Sequence, residues 1–338
     1  MTGRALIRNH EEPREVTVMK KSIISAAFLI LALTPGDSTS TAAYDLVINN
    51  GRVMDPETMY DHIANVGIKD GTIALITKEK ITGQRTIDAT GHVVAPGFID
   101  IHAHGQNIGD YRMQAMQGVT TMLELESGVL PIGEWYDKQG AKKLPIHYGA
   151  AAGWTFARIA AFAGGQPVST PEYFQEAQSR TDWKMNIATP EQLSQILKLV
   201  AQGLDEGALG IGINAGYAPG HGQQEYFALA EMAAERGVAT FTHVRYASNM
   251  EPQSSFQAVQ ELIANAAITG AHMHLCHINS TSLKDIHSIL KLVDDAFERK
   301  INISVGAYPW GAASTVVGAA MFSGEGWRER MGSTAHNF

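Results

Sequence analysis

The part of the chain that follows Pro96 alternates short apolar segments with longer segments of helical period. The short segments predict β-strands and the longer ones predict helices. Strands that alternate with helices form parallel sheets joined by crossover helices. The predicted strands are Phe98–His102, Thr120–Glu126, Ile146–Ala152, Ala208–Ile213, Ala239–His243, His272–His277 and Asn302–Ala307. Seven such strands predict an α/β fold, a (β/α)₈ barrel with one strand unaccounted for. An open doubly wound sheet is the alternative.

Residues 44–95 have a different character. Runs rich in β-branched residues are interrupted there by Asn-Gly, Asp-Gly and Thr-Gly, dipeptides that are typical of tight hairpin turns. We therefore expect a small N-terminal β-domain over residues 44–95 and the barrel over residues 96–338.

The N-terminal 43 residues have the composition of a targeting segment. Lys20 and Lys21 precede the apolar run Ser22–Leu33, and small residues at 40–43 provide cleavage sites. This order is typical of a secretory signal peptide, and the apolar run is short for a bilayer span. We predict a signal peptide over residues 19–43, an upstream extension over residues 1–18, and a periplasmic or secreted protein that keeps no membrane anchor after cleavage.

Charge and cysteine content narrow the classes of partner. The formal net charge is −8, and no basic stripe of the kind found in nucleic-acid-binding proteins is visible. A nucleic-acid partner is therefore not expected. Cys276 is the single cysteine, so an intrachain disulfide is excluded.

Two histidines stand two positions apart where the first barrel strand ends. His102 and His104 lie in the segment GFIDIHAHGQN, and residues at i and i+2 of a strand project to the same face. The carboxyl ends of barrel strands build the active site in enzymes of this architecture. We therefore expect both imidazoles at the active-site end.

Further ligand-type side chains close other predicted strands. Glu124 and Glu126 close the second strand, His243 the fifth and His277 the sixth. Imidazole and carboxylate groups suit zinc and similar divalent cations. Glu126 is favoured over Glu124 as a ligand because it lies nearer the strand end, and Glu124 would then be an inward carboxylate that needs a partner.

Several motifs resemble a known family. The stretches DLVINNGRVMDPET, IDATGHVVAPGFIDIHAHG and GVTT resemble the opening of the metal-dependent amidohydrolase superfamily. EGALGIGINAGYAPG, THVRY, HLCHINS and YPWGAAST are similar to its N-acyl-D-amino-acid deacylase (D-aminoacylase or D-glutamate deacylase) branch. The resemblance extends over residues 44–338.

The resemblance implies a ligand set and also shows departures from it. His102 and His104 would hold one metal ion, and His243 and His277 the other. Those deacylases typically bridge the two ions with a cysteine, whose position here is Ser127, so we expect Glu126 to bridge instead. The cofactor expected is one or two divalent ions, most simply Zn²⁺. Trp154 and Asn279 also replace residues that are usual in the branch.

The resemblance implies hydrolysis of a linear amide by a metal-activated water. The general base in such enzymes is an aspartate at the end of the eighth strand, and we find no candidate for it, so the catalytic residue is unknown. The chain ends soon after the seventh predicted strand. These features lead us to expect an amidohydrolase truncated at its C-terminus.

For the substrate, we predict an N-acyl-D-amino acid. Arg245 follows His243 by two positions and would clamp a carboxylate, with Tyr217 donating to the same group. Two alternatives stay open. One is a non-catalytic remnant, and the other is a hydrolase of cyclic amides of the dihydroorotase or hydantoinase type.

Overall fold

The computed structural model describes residues 43–315, 319–322 and 326–330. The predicted upstream extension and all but the last residue of the predicted signal peptide lie outside the described residues, so both stay predictions. The chain divides into two compact units, Met1–Ala95 and Pro96–Phe338. Among the residues described, no helix combines the length and the apolarity needed to cross a membrane.

The described part of the first unit is a five-stranded sheet. Its strands are β1 (Tyr44–Asp55), β2 (Tyr60–Lys69), β3 (Thr72–Thr77), β4 (Gly83–Asp88) and β5 (Val93–Val94). The order is β3-β2-β1-β4, and β5 also pairs with β1. β1, β2 and β3 form an antiparallel meander, whereas β4 and β5 run parallel to β1.

The Gly-containing dipeptides of this unit do not all form hairpins. Asp70 and Gly71 have φ values of 50° and 74° and connect β2 to β3 in the predicted tight turn. Asn50, with φ of 62°, lies instead inside β1, where the register with β2 shifts. The hairpin predicted at Asn50 is therefore wrong. Asn tolerates positive φ, and a β-bulge uses that conformation without reversing the chain.

The second unit contains a parallel sheet of seven strands among the described residues. They are β6 (Phe98–Asp100), β7 (Val119–Val129), β8 (His147–Gly153), β9 (Gly210–Asn214), β10 (Ala239–His243), β11 (His272–Leu275) and β12 (Ile303–Val305). Each strand pairs in parallel with its neighbour in the chain, in the order β12-β11-β10-β9-β8-β7-β6. A strictly sequential order excludes the doubly wound alternative. The prediction of an incomplete barrel is confirmed.

Ten helices connect these strands among the described residues, and an eleventh, α11, follows β12. They are α1 (Ile108–Met116), α2 (Ile132–Gly140), α3 (Trp154–Ala163), α4 (Pro171–Ala177), α5 (Asp182–Met185), α6 (Pro190–Asp205), α7 (Gln223–Arg236), α8 (Ser255–Thr269), α9 (Ile278–Ser282), α10 (Ile286–Glu298) and α11 (Trp327–Arg330). Short 3₁₀ turns cover Ala215–Tyr217, Leu283–Asp285 and Ala320–Phe322. The predicted start of α6 is a capping box, in which Thr189 and Gln192 exchange side-chain to backbone hydrogen bonds.

The hydrophobic core of this unit lies between the sheet and the helices. Ile211 and Ile213 of β9 are fully buried, as are Ile196 of α6 and Leu229 of α7. Strands buried on both faces read as continuous apolar runs, which is the pattern of β9. This packing fixes the strands whose carboxyl ends carry the candidate site.

Candidate metal centre

The first two histidines lie in the segment that leaves β6. The strand ends at Asp100, whose Oδ1 accepts a hydrogen bond from the backbone N–H of His102 at 2.9 Å. Ala103 N–H then donates to the carbonyl of Leu123 at 3.1 Å. These bonds hold the segment beside β7 and place the rings of His102 and His104 with Nε2 atoms 3.2 Å apart.

Glu126 of β7 lies between two pairs of histidines. Its Oε2 is 3.0 Å from Nε2 of His102 and 3.1 Å from Nε2 of His104. Its Oε1 is 3.0 Å from Nδ1 of His243 and 2.7 Å from Nε2 of His277. One carboxylate of β7 therefore joins residues from the carboxyl ends of three other strands, β6, β10 and β11, and each of its oxygens contacts one pair of histidines.

The four neighbouring histidines stabilise the ionised form of the Glu126 carboxylate. The side chain is 3% exposed. Burial acts to raise the pKa of this carboxyl, but hydrogen bonds from the four histidines outweigh burial and hold the pKa well below its usual value. Glu126 is therefore an anion at neutral pH, in a setting where only cationic or hydrogen-bonding neighbours can balance it.

The donor atoms fit divalent cations. The atoms of His102, His104 and Glu126 form one group, those of Glu126, His243 and His277 a second, and within each group they lie within 4.8 Å of one another. In tetrahedral zinc sites, bonds of 2.0–2.1 Å place neighbouring ligand atoms about 3.3 Å apart. The separations in the first group are 3.0–3.2 Å, and those in the second are 2.7–3.0 Å. Facing imidazole nitrogens at such distances are what a cation between them would require.

Glu124 has a different partner from Glu126. Its two oxygens lie 3.0 and 3.2 Å from Nδ1 of His104, and its side chain is 5% exposed. The structure thus supplies the partner that the sequence left open for this inward carboxylate. Burial acts to lower the pKa of His104, but the charge and hydrogen bond of Glu124, with Glu126, raise it well above its usual value.

The other two histidines are positioned by close backbone packing. His243 is the last residue of β10, and an added Cβ on Gly216 would lie 2.7 Å from its ring. Only glycine leaves room for the 3₁₀ turn Ala215–Tyr217 to pass that ring. His277 follows β11 with φ of 35°, and its Nδ1 lies 3.1 Å from the hydroxyl of Thr281.

The two predicted substrate-binding residues have different surroundings. Tyr217 lies beside the centre, with its ring centroid 5.2 Å from that of His243 and its hydroxyl 2.6 Å from Oγ1 of Thr315. Arg245 is 7% exposed and forms a bidentate ion pair with Glu261 at 2.7 and 2.9 Å. Its guanidinium lies 3.2 Å from Nδ1 of His221, and among the described residues no contact joins it to the histidines of the two ligand groups.

The prediction that Arg245 shares the face of His243, made from its position two residues later, is wrong. β10 ends at His243, so Arg245 lies in the following loop, where residues at i and i+2 need not share a face. One guanidinium nitrogen donates instead to the carbonyls of Pro219 and His221 at 2.9 and 2.6 Å. Arg245 therefore anchors the loop that carries Tyr217.

The sequence departures have structural explanations. Ser127 is a half-buried residue of β7, next to Glu126, whose carboxylate contacts the histidines. Trp154 is fully buried and donates to Glu225 at 2.7 Å, and the Asn279 amide donates to the carbonyl of Tyr308 at 2.9 Å. Sequence reasoning missed the buried ion pair of Arg158 with Glu225 at 2.5 Å, because no local pattern marks a pairing across 67 positions.

With this geometry established, the comparison with protein families is decisive. Residues 85–337 match the model described as "Amidohydrolase family". The chain belongs to this family. The predicted resemblance is thereby confirmed, and the match includes all five residues of the two ligand groups.

Curated relatives of this amidohydrolase act on different amides. It is 27% identical over 298 residues to the N-acyl-D-glutamate deacylase of Alcaligenes xylosoxydans xylosoxydans, covering 81% of this chain and 58% of the relative. It is 27% identical over 253 residues to the allantoinase of Enterococcus faecalis, covering 69% and 54%. A dihydroorotase of Streptococcus pneumoniae is 53% identical over 66 residues, covering 19% and 15%. The chain thus spans little more than half the length of the relatives it matches most broadly.

Solved structures support the fold. The N-acyl-D-glutamate deacylase of Bordetella bronchiseptica, in complex with zinc and a phosphonate inhibitor, gives a TM-score of 0.64 at 22% identity, covering 79% of this amidohydrolase and 59% of that chain. D-Aminoacylase, whose binuclear metal centre has been studied, gives 0.64 at 20% identity with the same coverage. These matches extend over 79% of this chain and support its fold.

Proposed function

We propose that this amidohydrolase holds one or two divalent cations, preferably zinc, through five residues: His102, His104, Glu126, His243 and His277. The observation that carries the proposal is the division of the Glu126 carboxylate between two histidine pairs. A buried anion beside four imidazoles whose nitrogens face one another calls for positive charge at both of its oxygens. The donor set has no thiolate, and nitrogen and oxygen ligands of this kind suit zinc and neighbouring divalent ions.

The reaction that we propose is hydrolysis of an amide. When bound, a divalent cation supplies Lewis acidity and lowers the pKa of a water molecule at the site. Glu126 keeps the two histidine pairs within reach of one substrate, and Glu124 holds the proton on Nδ1 of His104. Tyr217 lies beside His243, and its hydroxyl, which also bonds Thr315, would orient the substrate with its remaining hydrogen-bonding capacity.

The substrate class that we propose is an N-acyl-D-amino acid. Its support is the deacylase relative, which covers 81% of the chain, and the shared fold of D-aminoacylase. The Arg245 ion pair removes one argument for this class, because the guanidinium is engaged by Glu261 and the loop carbonyls. The deacylase assignment therefore depends on the relatives and on the metal centre.

The test combines metal analysis with a deacylation assay. We expect the purified protein to retain zinc. It should hydrolyse N-acyl-D-glutamate faster than N-acyl-L-glutamate. The variant Glu126→Ala should lose both the metal and the activity. The matched control is His287→Ala, which removes an exposed histidine of α10. Retention of metal by Glu126→Ala would contradict the assigned ligands, whereas bound zinc without hydrolysis would favour the non-catalytic alternative.

A second candidate function is hydrolysis of a cyclic amide. It is favoured by the allantoinase relative over 69% of the chain and by the short, strong match to a dihydroorotase. The same preparations should be assayed with allantoin, dihydroorotate and a hydantoin. Ring opening of any of these in the absence of deacylation would replace the linear-amide assignment.

We also propose export to the periplasm or the medium. The support is the order of basic, apolar and small residues over residues 19–43. N-terminal sequencing of secreted material should give a start at Ala43 or Tyr44. Material that remains in the cytoplasm and begins at Met1 would contradict this.

A further inference from the structure

Glu124 makes a contact that the ligand groups do not explain. It belongs to neither group, yet both of its oxygens point at Nδ1 of His104 and its side chain is 5% exposed. A buried carboxylate is an expensive residue to place in a strand unless it has a partner. Its position two residues before Glu126 puts both carboxylates on the same face of β7.

The contact determines which nitrogen of His104 carries hydrogen. An ionised carboxylate only accepts hydrogen bonds, so Nδ1 of His104 must be the donor. In the neutral ring, Nε2 then presents its lone pair, and this atom lies 3.1 Å from Glu126 and 3.2 Å from Nε2 of His102. Because the His104 side chain is 51% exposed, surrounding packing alone holds its ring less firmly than it holds the rings of His243 and His277.

We propose that Glu124 is a positioning residue that fixes the tautomer and the ring orientation of His104 for cation binding. This inference depends on the metal-binding part of the proposed function and is independent of the substrate. Carboxylates that accept from the distal nitrogen of a ligating histidine raise metal affinity about 10–100-fold. The effect belongs to the group of His102, His104 and Glu126, since the equivalent nitrogen of His277 lies against a neutral hydroxyl of Thr281.

Two variants separate the acceptor from the volume of the side chain. Glu124→Leu has similar size and no acceptor, and Glu124→Gln keeps a side-chain oxygen that can accept from Nδ1. Zinc affinity is measured by competition with a chromophoric chelator, with no substrate present, and His104→Ala identifies the binding step that involves His104. We expect the zinc affinity of that step to fall about 10–100-fold in Glu124→Leu. In Glu124→Gln, most of the wild-type affinity should be restored.

A second readout reports the tautomer directly. In metal-free protein labelled with ¹⁵N-histidine, at a pH above the raised pKa of His104, the ring shifts should be those of the neutral Nδ1–H form in the wild type and of a tautomer mixture in Glu124→Leu. The matched control is Thr281→Val, which removes the hydroxyl beside His277 and should leave the His104 step and shifts unchanged. If Glu124→Leu does not fold, Glu124→Ala takes its place in both measurements.

The outcomes separate this inference from the proposed function. Unchanged zinc affinity and an unchanged His104 tautomer in Glu124→Leu overturn the positioning role. Equal weakening in the Leu and Gln variants also overturns it, because the acceptor would then not be the cause. Absence of zinc binding by the wild type contradicts the metal centre itself and with it this inference.

Discussion

At the scale of single residues, the length of the Glu126 side chain is as important as its charge. The carboxylate reaches His102 on one side and His277 on the other, at 3.0 and 2.7 Å. Aspartate would keep the charge and withdraw the carboxylate by one methylene. A shorter side chain anchored on β7 cannot keep both sets of contacts.

We predict that Glu126→Asp binds fewer metal ions than the wild type while keeping its fold. Elemental analysis after gel filtration gives the metal-to-protein ratio, and circular dichroism verifies the fold. Glu134→Asp is the control, because Glu134 is an exposed residue in the first turn of α2. Full metal content in Glu126→Asp would contradict this prediction, because the metal ions would then not require a carboxylate that contacts both histidine pairs.

A second prediction at this scale concerns His274. Its Nδ1 lies 2.8 Å from the hydroxyl of Ser304, its side chain is 6% exposed, and burial with nearby histidines lowers its pKa from 6.5 to about 4. Between these two values the unfolded chain binds more protons than the folded chain, so stability falls as the pH falls from 6.5 to 4. The contribution of this one residue is about 3 kcal/mol.

The measurement is denaturant unfolding at several pH values in the presence of a metal chelator. Over the window from pH 6.5 to 4, the unfolding free energy of His274→Gln should decrease less steeply than that of the wild type. His287→Gln, an exposed histidine, should follow the wild type. Parallel pH profiles for the wild type and His274→Gln would contradict the buried neutral imidazole.

At the scale of elements, the loop Ala215–His221 is held by a side chain from outside it. Arg245 donates to two of its carbonyls while Glu261 of α8 neutralises the guanidinium. Lysine cannot reproduce a bidentate pair together with these contacts. We predict that Arg245→Lys destabilises the protein by about 1–3 kcal/mol and releases this loop.

Hydrogen–deuterium exchange measures the release. Amides of residues 215–221 should exchange faster in Arg245→Lys, whereas those of α10 should be unaffected. Arg236→Lys is the matched control because the ion pair of Arg236 with Asp205 is exposed and contributes little. Unchanged exchange in the loop would mean that Arg245 does not anchor it.

Sequence reasoning succeeded where the signal is local. The strand Ala239–His243 is predicted with its observed bounds. β6 and β11 end at Asp100 and Leu275, so His102 and His277 follow their strands and still contact Glu126. The alternation of side chains along a strand does not extend into the loops. Arg245 follows its strand by only two residues, yet it turns to Glu261 because loop geometry has no period.

Contacts between residues distant in the sequence could not be predicted for another reason. Glu124 and Glu126 share one face of β7, so alternation cannot distinguish a ligand from a residue that supports one. Arg158 and Glu225 meet inside the core across 67 positions, and their buried pair depends on how α3 and α7 pack. These contacts depend on tertiary packing, which cannot be inferred from a short segment of the sequence.

At the scale of the whole molecule, β6 and β12 are the outermost strands of the sheet in the described part of the chain. Phe98 and Ile99 of β6 are 63% and 62% exposed. Unpaired strand edges with apolar side chains promote association between copies. We predict concentration-dependent self-association, measured by light scattering, that Ile99→Lys reduces.

The control for this prediction is Ile187→Lys. Ile187 is 74% exposed and lies outside the strands, so this variant adds the same charge away from the edge. An equal reduction in scattering by both variants would mean that net charge, and not the edge of β6, governs association.

The sequential order of the sheet has a consequence for the time at which the metal centre forms. His104 and Glu124 are 20 positions apart, whereas Glu126 and His277 are 151 apart. Closing the longer loop costs about 2 kcal/mol more chain entropy by the logarithmic rule. During synthesis, the first group of ligands is complete soon after β7 leaves the ribosome, and the second waits for more than half of the remaining chain. A nascent chain therefore presents three of the proposed ligands long before it presents all five.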